Sequence, residues 1–215
     1  MQHLFFAFTN PVDGVEPVFN DWYNTHHVPE VLRYGRGFTG CRRFRLEREA
    51  GETGLPAWTY LAMYQLESDD LASLATKPWT VQAPPLTSFR GLLKDDHVAW
   101  VYTPRGPRIA RSAWLPDTPE HVASHIMLEW AHEPQGFDAQ NLQQVVEQSD
   151  GCRAAQILDL ADAQRSNQQG SPWQSLVVYE LNSAEVEIPG ARRAAAWTYT
   201  AIADFVSRDQ VMASV

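Results

Sequence analysis

The feature that most constrains the fold is an internal repeat in this chain of 215 residues. Four short motifs of the first half recur in the same order in the second: Gly40-Cys41-Arg42 as Gly151-Cys152-Arg153, Tyr64-Gln65-Leu66 as Tyr179-Glu180-Leu181, Trp79-Thr80 as Trp197-Thr198, and Phe89 as Phe205. Each match is weak by itself, but four in one order favour a duplicated unit. A chain of this length accommodates two units of about 100 residues each.

Hydrophobic patterning predicts the same order of elements, β-α-β-β-α-β, in each half. In the first half the predicted strands are 3–9, 39–47, 58–66 and 97–102, and the predicted helices are 16–34 and 69–77, the latter resuming over 86–93. In the second half the predicted strands are 126–131, 152–160, 175–181 and 210–215, and the predicted helices are 138–148 and 191–205. Proline removes a helical hydrogen bond, so Pro29 predicts a kink or break near 26–28.

This order predicts an α+β fold made of two tandem ferredoxin-like units, each an antiparallel sheet with helices on one face. The strands are apolar on both sides, so we expect two such sheets to pack face to face. The second sheet comes either from the other half of the chain or from a second copy, and we expect a homodimer. The units are placed at 1–105, which carries the pocket, and 106–215, which is structural or degenerate.

Composition excludes several classes of function. The formal charge of −9, from 26 acidic and 17 basic residues, disfavours nucleic acid as a partner. The first residues lack the pattern of a signal peptide, and no run of apolar residues is long enough to span a bilayer. The two cysteines, Cys41 and Cys152, form no CxxC motif and suit a reducing compartment. We therefore expect a cytoplasmic protein without a membrane partner.

A pair of histidines near the break in the first helix is the main candidate for chemistry. His27 follows Tyr23 by four positions, so both side chains lie on one helix face. A histidine exchanges protons near neutral pH, and Tyr23 could orient it or share its proton. The alternative is that His27 only hydrogen-bonds the helix end opened by Pro29. His26 is a second candidate base if the break turns it inward, and otherwise a surface residue.

The segment Phe19-Asn20-Asp21-Trp22-Tyr23-Asn24-Thr25-His26-His27-Val28-Pro29-Glu30 resembles a family signature. It looks like that of the EthD-like branch of the dimeric α+β barrel superfamily, in which an aromatic-Tyr pair is followed by His-x-Pro. The matching positions are Trp22, Tyr23, His27, Val28 and Pro29, although many members have His in place of Trp22. The resemblance covers residues 1–105 and implies a pocket between sheet and helices, open near the end of the first helix.

Further residues are candidates for binding a substrate. The predicted walls of the pocket are Phe19, Trp22, Tyr60, Tyr64, Arg43 and His97. Core packing is the alternative for the aromatic residues, and a surface position is the alternative for His97. Arg43 could clamp a carboxylate or an enolate. The alternative is that Arg43, together with Arg42 and Arg45, lies on an exposed edge strand and prevents that strand from pairing with another chain.

The resemblance implies an enzyme that works without a cofactor on an aromatic or polyketide-like small molecule. No Asp, Glu or His partner lies at ligand spacing from His26 and His27, so no metal is expected. The first hypothesis is an acid/base lyase, isomerase or cyclase with His27 as the base and Tyr23 as its partner. The second is a cofactor-independent monooxygenase acting on a phenolic substrate. The third is a non-catalytic accessory protein that binds a small apolar molecule, and the fourth is a haem enzyme. Fold alone does not decide among these.

Overall fold

The computed structural model describes residues 1–51, 58–76, 91–111, 123–133, 137–164, 170–189 and 195–214. The strands in these ranges are β1 (Gln2–Thr9), β2 (Phe38–Gly51), β3 (Tyr60–Glu67), β4 (Val98–Pro104), β5 (Ile109–Ala110), β6 (His125–Ala131), β7 (Cys152–Leu160), β8 (Ser175–Leu181), β9 (Ala195–Ala201) and β10 (Val206–Ser207). The helices are α1 (Glu16–Trp22), α2 (Val28–Tyr34), α3 (Leu71–Thr76), α4 (Ala139–Gln148) and α5 (Arg208–Ala213). Between α1 and α2, Tyr23–His27 form one π-helical turn, which we call the π-turn.

The strands form one closed antiparallel barrel. Eight of them follow the order β2-β3-β1-β4-β7-β8-β6-β9, and β9 pairs back onto β2. Closure depends on the length of β2, whose first part pairs with β3 and whose second part pairs with β9. The two halves of the chain also meet where β4 pairs with β7. The prediction of two ferredoxin-like units with separate sheets packed face to face was therefore wrong, because the strands of both halves are hydrogen-bonded into a single sheet.

The second half also departs from the predicted order of elements. The predicted helix 191–205 contains the strand β9, and the predicted strand 210–215 lies largely in α5. The alternation in Ala195-Ala196-Trp197-Thr198-Tyr199 places Trp197 and Tyr199 in the barrel interior, as a strand requires. Burial of these two large rings outweighs the helical preference of the neighbouring alanines.

Most of the remaining elements were predicted correctly. Strands β7 and β8 have the predicted bounds, and Asp138 caps α4 by accepting a hydrogen bond from the Gln140 amide at 2.9 Å. The break predicted near Pro29 exists as the π-turn. The resumed helix predicted over 86–93 lies mostly outside the described residues. In the described part of the chain, no helix combines the length and apolarity needed to cross a membrane.

Side chains alternate between two apolar layers along the strands. On β3, Leu61 and Met63 point into the barrel, where they join a core rich in tryptophan. Tyr60, Ala62 and Tyr64 point outward and pack beneath α1, the π-turn and α2. The barrel interior is thus filled with side chains, and the layer between the sheet and the first helices holds the predicted site.

Candidate active site

The π-turn sets the positions of the two central side chains. The Val28 amide donates to the Tyr23 carbonyl oxygen, five residues back, instead of the usual four. Pro29 follows directly in the first turn of α2 and has no amide hydrogen to donate. Isolated π-helical turns occur often at functional sites. Here the turn brings the rings of Tyr23 and His27 to a centroid separation of 4.8 Å.

His27 is held in an aromatic niche. Its ring stacks on Trp22 at 4.9 Å with an interplanar angle of 25°, and it meets Tyr23 edge to face. Burial lowers the pKa of His27 to about 4; the carboxylate of Glu30 opposes this shift, and the charge of Arg43 adds to it. The imidazole is therefore neutral at neutral pH. Its Nδ1 atom is buried and has no hydrogen-bond partner among the described residues.

Tyr23 keeps its proton. The side chain is 3% exposed, and burial raises its pKa to about 12 although the nearby guanidinium of Arg43 favours the phenolate. A phenol in this state can donate a hydrogen bond but does not serve as a base near neutral pH. Tyr23 contacts His27 edge to face through its ring, and its role as partner of the base stays a prediction.

Arg43 extends outward from β2 under the π-turn and is 2% exposed. Its guanidinium lies 4.2 Å from the centroid of the Tyr23 ring and donates hydrogen bonds to the side-chain oxygens of Asn20 and Asn24, both at 2.8 Å. The alternative of charge guarding a sheet edge was wrong, because β2 has neighbours on both sides. Sequence reasoning missed both asparagines, although their four-residue spacing matches that of Tyr23 and His27.

Tyr60 and Phe19 complete the wall next to Arg43. Phe19 is fully buried, and its ring centroid lies 5.4 Å from those of both Tyr23 and Tyr60. The Tyr60 hydroxyl donates to the carboxylate of Glu16 and accepts a 2.9 Å hydrogen bond from the Asn20 amide. Tyr64 lies on the same sheet face and packs against Phe5 and Phe38. The predicted aromatic walls therefore share one buried layer.

Two of the predicted site residues are held by local contacts. His26 is exposed, and its Nδ1 lies 2.7 Å from the hydroxyl of the adjacent Thr25. His97 directly precedes β4, where its Nδ1 lies 3.1 Å from the Lys94 carbonyl oxygen. Within the ranges that the structure describes, no three His, Cys, Asp or Glu side chains are grouped so that they could hold a metal ion.

Comparison with known proteins defines the fold class and corrects the family prediction. No protein-family model and no curated protein matches the chain. A solved structure of an anthrone oxidase-like protein is similar over 96% of this chain and 93% of its own, with a TM-score of 0.57 and 12% identity. A candidate monooxygenase from Fusobacterium nucleatum covers 96% of each chain with a TM-score of 0.49 and 10% identity.

At these identities the first likeness concerns the fold alone. The predicted membership of the EthD-like family of the dimeric α+β barrel superfamily was wrong: no family model supports it, and the chain closes its own eight-stranded barrel.

Proposed function

We propose that this protein is a cofactor-independent monooxygenase that oxidises a phenolic aromatic substrate beside His27. The observation that carries the proposal is the buried Nδ1 of a neutral imidazole, which has no protein partner in the described chain and is flanked by aromatic rings. A neutral imidazole can accept the proton of an acidic substrate O–H or C–H. The rings of Trp22 and Tyr23 contact the imidazole, and aromatic surroundings of this kind suit a flat ligand.

The name of the first structural neighbour supports this choice among the hypotheses. That protein is anthrone oxidase-like, which favours oxygen chemistry over a lyase, isomerase or cyclase. In such a reaction an activated CH₂ group becomes a carbonyl: one atom of O₂ enters the product, and the other leaves as water with the two hydrogens. The substrate supplies all the electrons, so the protein needs only to remove a proton and to position the carbanion for oxygen.

The low pKa of His27 sets a condition on this mechanism. An imidazolium with a pKa of about 4 holds a proton weakly while the site is empty. Proton transfer becomes favourable only if the anion left on the substrate is stabilised nearby, because an adjacent negative charge raises the pKa of the imidazolium. The positive charge of Arg43, next to Tyr23, provides such stabilisation.

The proposal is tested by oxygen uptake with anthrone and 1-naphthol as trial substrates, corrected for the rate without protein. We expect label from ¹⁸O₂ in the product and no turnover under argon. His27→Gln should lower the rate by about 10²-fold or more, since that is the usual contribution of a general base. The control variant His26→Gln changes the adjacent, exposed histidine and should retain the wild-type rate. Equal turnover under argon, no protein-dependent oxygen uptake, or an active His27→Gln variant would contradict the proposal.

A further inference from the structure

Arg43 is a buried cation with neutral ligands. Its three hydrogen bonds to described residues go to the side-chain oxygens of Asn20 and Asn24 and, at 3.4 Å, to the Asn20 carbonyl oxygen. None of these acceptors carries a charge. These bonds use three of the five N–H groups of the guanidinium.

A half-buried arginine of the same protein, Arg108, shows the usual arrangement. The side chain of Arg108 is 11% exposed and that of Glu180 is 3% exposed, and the two form a two-point ion pair at 2.6 and 2.7 Å. Such a pair neutralises the cation, and burying a charge without one is costly. Arg43 is buried more deeply, yet it bonds amides that have the size of Asp but not its charge. Its positive charge is therefore left for another group.

The surroundings of Arg43 restrict what that group can be. The guanidinium lies 4.2, 5.3 and 5.4 Å from the ring centroids of Tyr23, Phe19 and Tyr60. These neighbours are aromatic, and aromatic rings pack well against a flat ring system. The net charge of −9 repels strongly charged anions at long range. A planar aromatic molecule with one delocalised negative charge satisfies both conditions.

We infer that Arg43 is an oxyanion-binding residue beside His27, and that Asn20 and Asn24 position it without neutralising its charge, so that the substrate is held as an aromatic phenolate or enolate. This inference rests on the location of the proposed site but not on oxygen chemistry. The substrate hydroxyl loses its proton to Nδ1 of His27, and the electron pair of the broken O–H bond stays on the oxygen facing Arg43. Charge is conserved, and no other reactant is needed.

The inference is tested by binding 4-nitrophenol, whose neutral and anionic forms have different absorption spectra. Wild-type protein should bind the anion more tightly than the phenol, so that the bound ligand ionises at lower pH than the free ligand. Asn24→Asp keeps the size of an exposed side chain but places a carboxylate on Arg43. It should weaken binding of the anion by about tenfold or more, since a hydrogen bond to a charged group contributes at least that factor.

Asn20→Asp is a second variant with the same expected effect, and Asn141→Asp on α4 is the matched control, because it adds the same charge at an exposed position. Preferential binding of the neutral phenol, no binding by wild-type protein, or unchanged binding of the anion by both pocket variants would overturn the inference. The assay needs no turnover. If the protein binds the phenolate but consumes no oxygen, the inferred anion site stands and the proposed oxygenase activity is contradicted.

Discussion

At the residue scale, the site combines a neutral base with a buried cation. Trp22 and Tyr23 pack against the half-buried His27, and desolvation lowers the pKa of its imidazole to about 4. The positive charge of Arg43 also lowers the pKa of His27. On Tyr23 the same charge opposes the effect of burial, because it favours the phenolate. A single positive charge therefore helps to keep the base free of a proton and favours negative charge beside it.

The buried imidazole should make stability depend on pH in a defined way. Unfolded His27 binds a proton below its usual pKa of about 6.5, whereas folded His27 binds one only below about 4. The unfolded state thus binds more protons between these values, so the free energy of unfolding should rise with pH from about 4 to about 6.5 and level off above. His27 should account for a rise in the free energy of unfolding on the order of 3 kcal/mol across this pH range.

Urea unfolding at a series of pH values measures this effect as the difference between wild-type protein and His27→Gln. The variant should lack the His27 component of the rise, while other titrating groups contribute equally to both proteins. His26→Gln should follow the wild-type curve, because His26 is exposed. Parallel curves for wild-type protein and His27→Gln would show that the folded imidazole titrates normally.

At this scale the sequence predicted the candidate base, His27, but not the buried environment of Arg43. Tyr23 and His27 are visible from their four-residue spacing alone. The burial of Arg43 could not be predicted from the sequence, because three arginines between residues 42 and 45 are typical of a solvent-exposed strand face. Arg43 is buried because α1 and the π-turn cover the outer face of β2, and this contact joins residues about 20 positions apart in the sequence.

At the element scale, the π-turn is the local feature that orients the site. In a regular α-helix the amide of residue 29 would donate to the Thr25 carbonyl oxygen, and Pro29 has no hydrogen there to donate. We therefore expect Pro29→Ala to favour a regular helix over 23–27, which would rotate Tyr23 relative to His27 and separate His27 from Trp22. With less burial, the pKa of His27 should rise from about 4 towards its usual value.

Titration of the imidazole signals by NMR checks this prediction. The matched control is Pro17→Ala, because Pro17 is exposed in the first turn of α1, where a helix needs no amide donor. That variant should leave the His27 titration unchanged. If His27 also titrates near pH 4 in Pro29→Ala, the proline is not the cause of the π-turn.

The errors in predicted elements have an identifiable origin. The signal that would have located α5 is present in the sequence: Ser207 and Gln210 form a capping box, in which each side chain bonds the backbone of the other. For β9, the alternation of alanine and threonine with Trp197 and Tyr199 was the relevant pattern. Alanine-rich strands are misread from local preference, because the burial that decides them depends on residues elsewhere in the chain.

At the scale of the whole molecule, the two halves share one core. Phe8 of β1 is fully buried, and its ring lies 5.9 Å from that of Trp130 on β6 and 5.8 Å from that of Trp197 on β9. The same ring lies 5.5 Å from those of Trp58 and Trp100 in the first half. Neither half can bury its apolar interior without the other, so the repeat in the sequence does not imply two independent folding units.

A single cooperative unfolding transition is therefore expected, with tryptophan fluorescence and far-UV circular dichroism changing together. Phe8→Ala should lower the free energy of unfolding by about 3–5 kcal/mol, because it leaves a cavity among aromatic neighbours from both halves. Phe8→Leu should cost less, since it retains part of the volume. Val18→Ala, at a position 60% exposed, should change little. Two separated transitions in the wild-type protein would contradict the shared core, because a barrel closed through β2–β9 and β4–β7 pairing cannot lose one half and keep the other.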